Sequence, residues 1–78
     1  MYMHQTEQEH LIDMINQIAV NNISLGDDSV IADMIAGHVK KFWPRRMKVI
    51  LNDYIVNDGG ERLHPAALLA GKKLAEEG

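Results

Sequence analysis

The sequence predicts an all-α fold, a small bundle of four short helices over about 6–22, 28–42, 44–57 and 65–76. Three observations carry that prediction. Apolar residues recur three and four apart along most of the chain; no stretch alternates apolar and polar with β-branched enrichment; and the breaks between periodic runs hold turn and cap residues. With 78 residues the chain is read as a single helical domain, 1–78, whose first five residues form a flexible N-terminus. A domain of this size hides only about 60% of its unfolded surface on folding. There is no cysteine, so neither a disulfide nor a thiolate-bound structural metal can reinforce the core. Assembly with another chain is the remaining source of burial.

The first helix begins at a capping box, Thr6 with Glu9 three residues on. Its apolar arc is Leu11, Ile12, Met14, Ile15, Ile18 and Ala19, and it fades at Asn21-Asn22 before Gly26. Asp27 and Asp28 place carboxylates at the positive end of a second helix. On a helical wheel Ile31, Met34, Ile35, Val39 and Phe42 share one side, with Asp33 and Lys40 opposite, so Phe42 is assigned to the core. Trp43 precedes a proline and is pushed out of the helical region, so the helix stops or kinks there. Pro44 suits the first position of a third helix, where its missing N–H costs nothing. That helix buries Met47, Ile50, Leu51, Tyr54 and Ile55 and stops at Gly59-Gly60. The fourth starts at Pro65; Ala66, Ala67, Ala70, Gly71 and Ala75 permit close approach, with Leu68 and Leu74 as anchors.

The pattern of charge says more than its net value of −3. Residues 1–39 contain six acids and no Lys or Arg, whereas Lys40, Lys41, Arg45, Arg46 and Lys48 crowd one short stretch. The acidic remainder argues against nucleic acid, and the Trp43-Pro44 junction lacks the Gly-containing turn of a helix-turn-helix. No apolar run reaches the roughly 18 residues of a membrane span, and no segment has the layout of a signal peptide, so a cytoplasmic location is expected.

Catalytic equipment is not visible. The four histidines are scattered at 4, 10, 38 and 64, without a His-Glu-x-x-His pair, and Gly59-Gly60 lacks the other parts of a phosphate-cradling loop. His38, set among Ile31, Met34, Ile35 and Phe42, is read as a hydrogen-bonded core or interface histidine. Trp43 beside Arg45 and Arg46 carries the docking prediction, since Trp and Arg dominate many protein interfaces. Arg45, Val49, Asn52 and Val56 form a stripe opposite the apolar side of the third helix. The expected partner-binding set is therefore His38, Lys40, Lys41, Trp43, Arg45, Arg46, Lys48, Val49 and Val56.

Several of these residues also match a family. Met14-Ile15-Asn16-Gln17-Ile18-Ala19, His38-Val39-Lys40-Lys41-Phe42-Trp43, Arg46-Met47-Lys48, Gly59-Gly60 and Leu63 with Pro65 resemble the delta subunit of cytoplasmic NAD-dependent formate dehydrogenases, in the same order over about Leu11 to Leu74. The chain departs from that pattern where Pro44 follows Trp43 directly and where His64 stands in place of an Asp; the second change predicts a weaker cap on the fourth helix. The resemblance implies a non-catalytic accessory subunit that helps the large catalytic subunit reach or keep its active state. The molybdenum or tungsten pterin cofactor, the iron–sulfur clusters and FMN would belong to other subunits, and this chain would hold none of them. A self-associating or nucleic-acid-binding helical module is the alternative reading.

Overall fold

A computed structural model describes residues 6–77; the expected flexible segment over 1–5 lies outside the described residues. Four α-helices follow one another as α1 (Glu7–Asn21), α2 (Asp28–Phe42), α3 (Arg45–Asp58) and α4 (Pro65–Glu77), with a short 3₁₀ turn, Ile23–Leu25, between α1 and α2. No strand occurs among the described residues.

The helix starts follow the local chemistry. The Thr6 hydroxyl accepts from the Glu9 amide at 3.1 Å while the Glu9 carboxylate accepts from the Thr6 amide at 2.9 Å, a closed capping box. The Thr6 amide, and after it the Thr6 side chain, by hydrogen bonding to the Glu9 carboxylate hold that carboxyl below its ordinary pKa. Asp27 caps α2 by accepting from the Val30 amide at 3.1 Å. Pro44 sits one position earlier than the sequence suggests, as the cap of α3, because its extended backbone lets its carbonyl accept the first helical bonds from Met47 and Lys48. At α4 the substituted cap is functional: the His64 imidazole Nδ1 accepts from the Ala66 amide at 3.1 Å.

The core is aliphatic and, in α4, made of small residues. Leu11, Ile12, Ile15 and Ala19 of α1 meet Ile31, Ala32, Ile35, Ala36 and Val39 of α2, Leu51 and Tyr54 of α3, and Ala66, Ala67 and Ala70 of α4. The most extensive pairing is α2 with α4. Alanine on both sides lets these two backbones approach closely. The same economy operates between α3 and α4, where a Cβ on Gly71 would lie 2.2 Å from Ile55 Cδ1. Ala66, Ala67, Ala70 and Gly71, rather than Leu68 and Leu74, are thus the buried part of α4; both leucines are only partly covered, and Ala75 is exposed.

The return from α3 to α4 is held by side-chain amides and a phenol. Gly59 and Gly60 both adopt left-handed backbone, with φ of 75° and 68°, and turn the chain. Asn16 of α1 then grips the loop at two points, donating to the Arg62 carbonyl at 2.9 Å and accepting from the His64 amide at 2.8 Å. The Tyr54 hydroxyl accepts from the Arg62 amide at 2.9 Å.

Two adjacent aromatics exchange the environments expected of them. Trp43 is 7% exposed and belongs to the core, whereas Phe42 is 68% exposed. The cause is Pro44, which places Trp43 in extended backbone at φ −86°, ψ 135°. Its side chain leaves the helical stripe and turns inward. Phe42, the last helical residue, lies over His38 of its own helix, ring centroids 5.1 Å apart. The expectation that Phe42 continues the core is therefore corrected.

Candidate functional site

The α2–α3 joint gathers the basic stretch that the sequence singles out. With only Trp43 and Pro44 between the helices, the end of α2 and the start of α3 lie together, and three of the five cations share one rim. Lys40, Arg45 and Lys48 border an open groove of about 550 Å³ between α3 and α4. Leu51, Gly71, Leu74 and Ala75 form much of its apolar floor, Val49 and Asn52 continue it along α3, and Glu77 closes it on the α4 side.

Charge at this rim is partly organised within the chain. Lys40 pairs with Glu77. The Lys48 ammonium donates to the Lys40 carbonyl at 3.0 Å, so a cation completes the carboxyl end of α2, where the helix dipole favours it. Arg45 has no ion-pair partner among the described residues. Three cations against one carboxylate leave the rim positive. The lining offers no histidine, serine or threonine, so its chemistry is that of an anion-attracting edge over an apolar floor.

The remaining expected residues go elsewhere. Arg46 turns to α1, where its guanidinium donates to Glu7 at 2.8 Å; that carboxylate raises the already high pKa of Arg46. Trp43 is in the core and supports the joint from within. Val56, 71% exposed, continues the α3 stripe beyond the groove. Lys41 and His38 lie on the outer face of α2, where with Met34, Gly37, Phe42 and Lys40, which also borders the groove, they line a second, shallow depression. Reasoning from the sequence missed the α4 contribution, Gly71, Leu74, Ala75 and Glu77. Small-residue periodicity in α4 signals close packing equally well whether or not a groove opens beside it.

The donors among the described residues do not fit a metal or iron–sulfur centre. The chain has no cysteine, and no group of three or more His, Asp or Glu side chains among the described residues is arranged to hold a metal ion. No helix among the described residues is long and apolar enough to cross a membrane.

Fold and surface together define a small all-helical protein that carries a basic-rimmed, apolar-floored groove between α3 and α4. Over residues 10–70 the chain matches the family described as NADH-dependant formate dehydrogenase delta subunit FdsD, and it belongs to that family. No curated protein and no solved structure matches it.

Proposed function

We propose that this chain is a non-catalytic accessory subunit that docks onto the large catalytic subunit of a cytoplasmic, NAD-linked formate dehydrogenase and supports its assembly, stability or activity. In the enzyme so proposed, a molybdenum or tungsten pterin cofactor, iron–sulfur clusters and FMN reside in the partner subunits, and this chain binds none of them. Family membership supports the complex, and the groove between α3 and α4 supports the docking mode.

The groove is the observation that carries the docking mode. An acidic segment of the partner with an apolar anchor would place carboxylates against Arg45, Lys40 and Lys48 and its anchor over Leu51 and Leu74. Val49, 48% exposed on the same wall, widens the apolar contact, and Val56 extends it along the α3 stripe. Trp43 acts here from the core by fixing the angle at which α2 and α3 present their cations.

Co-purification of the tagged chain with the large subunit tests this reading. The variant combining K40E, R45E and K48E changes side chains at the protein surface, so its helical circular dichroism should match the parent. Its recovery of the large subunit should fall at least tenfold. Undiminished recovery by a folded variant would remove the groove from the interface.

A further inference from the structure

The kind of segment that suits the groove, carboxylates beside an apolar anchor, is present in this chain at the other end of α2. The turn from α1 into α2 exposes Ile23 (60%), Leu25 (53%) and Val30 (47%). Asp27 and Asp28 lie among them in sequence, and neither has an ion-pair partner among the described residues. Acid and aliphatic are held side by side there. Asp27 Oδ1 accepts from the Val30 amide at 3.1 Å, and a Cβ on Gly26 would lie 3.3 Å from the Val30 side chain. The approach to the corner is fixed as well: the Asn22 side chain donates to the Ile18 carbonyl at 2.8 Å, and the Leu25 amide donates to the Asn22 carbonyl at 3.0 Å. A corner whose shape is set in advance gives up little conformational freedom on docking.

The groove supplies the opposite charge over an apolar floor. Arg45 on its rim has no ion-pair partner among the described residues. Lys40 already takes a carboxylate, that of Glu77, and at so exposed a pair an incoming carboxylate exchanges at little cost. Within one chain the corner and the groove rim stay apart, because Asp28 and Lys40 are twelve residues apart on one helix, about 18 Å at 1.5 Å per residue. Their complementarity is satisfied only between chains.

We infer that copies of this chain associate head to tail, the 23–30 corner of one copy seated in the α3–α4 groove of the next. Asp27 and Asp28 then face Arg45 and Lys48, while Leu25 and Val30 cover the floor at Leu74 and Ala75. Such a contact is heterologous: each copy uses one corner and one groove, so assembly runs on as a chain or closes as a ring. A two-fold contact through either surface alone would set aspartates against aspartates or Arg45 against Arg45, which like-charge repulsion disfavours. The inference rests on the preference that the docking proposal gives the groove, an acidic segment with an apolar anchor. It makes a second copy and the large subunit competitors for one surface.

Sedimentation equilibrium of the purified chain, with circular dichroism of every variant, tests the inference. The parent's average mass should rise with concentration from 8.8 kDa past twice that value, and fall back as salt is added. A corner variant, L25S with D27N and D28N, keeps a capping residue at the start of α2 and should stay helical. It should associate at least tenfold more weakly, as should the groove variant K40E with R45E and K48E. R45E alone, at a side chain without an ion-pair partner, replaces the triple variant if that one loses helical signal. Mixed one to one, corner and groove variants should form a species of twice 8.8 kDa and nothing larger, since one keeps only a groove and the other only a corner. A single 8.8 kDa species of the parent at every concentration overturns the inference, as does association indifferent to both variants. So does a mixture that stays monomeric or grows beyond two copies. The corner variant retains its groove and should recover the large subunit as the parent does. A parent that never self-associates therefore sinks this inference alone, whereas self-association with undiminished recovery of the large subunit by the groove variant sinks the docking proposal alone.

Discussion

The inner and outer sides of the α2–α3 joint are built from neighbouring residues that behave in opposite ways. On the inner side, Trp43 is 7% exposed and shares a core with Val39, Ile35 and the alanines of α4; on the outer side, Phe42 is 68% exposed amid Lys41 and His38. Both are large aromatics, so residue type does not separate them. Backbone direction does, because Pro44 takes Trp43 off the helix and leaves Phe42 on it. One side holds the joint together, and the other is available to something outside the chain.

The largest expected effect breaks that pairing directly. Trp43→Ala should cost about 3–5 kcal/mol, as truncation of a buried aromatic does, whereas Phe42→Ala should fall within about 0.5 kcal/mol of the parent under conditions where the chain is monomeric. Urea midpoints of the two variants check this, and a similar loss for both would erase the distinction between inner and outer side. The next effect probes the inner wall. Gly71→Val puts side-chain carbon where Ile55 Cδ1 already lies and should cost about 1–3 kcal/mol through overpacking, again read from urea midpoints. A neutral result would mean that α3 and α4 are free to separate.

The smallest effect lies on the outer surface, at the start of α1. Glu9 is ionised more readily in the folded chain than its ordinary value because of the Thr6 backbone and hydroxyl hydrogen bonds. A carboxyl whose folded pKa is depressed stabilises fully above its unfolded pKa and loses that contribution as pH falls through the folded one. Stability should therefore decline on acidification through the carboxylate range, and Glu9→Gln should flatten part of that decline in thermal melts recorded against pH. Screening at this exposed site keeps the effect small beside the two above.

Much of the fold was legible because it is decided within a few residues. Thr6 with Glu9, Asp27 before a periodic run, Pro44 after Trp43, and Gly59-Gly60 after α3 each act through local backbone chemistry, and each delimits a helix near the expected place. His64 is instructive in the other direction. Compared with an aspartate it is a weak cap by type, yet Asn16 holds its amide and its own ring accepts from Ala66, so the start of α4 is anchored from α1 as well as locally.

The candidate site was legible only in part. Lys40, Arg45, Lys48 and Val49 are close in sequence and on neighbouring turns, so their gathering follows from two helices joined by two residues. The placement of Arg46 against Glu7 could not be read in that way, since the partner lies on α1, 39 residues away. Nor could the groove's second wall, because Leu74, Ala75 and Glu77 reach it only through the close approach of α3 and α4 at Gly71.

By itself the sequence determined four helices and their ends, a chain without thiolate ligands, a basic stretch at one joint, and a match to one family over residues 10–70. Caps, prolines, glycines and apolar periodicity act over one or two helical turns, which is why these features survive without knowledge of the packing. Tertiary structure alone decided which cations face the groove and which face α1, and that α4 supplies the groove's far wall. Those outcomes depend on where one helix stands relative to another, a distance set by small residues in contact across the core.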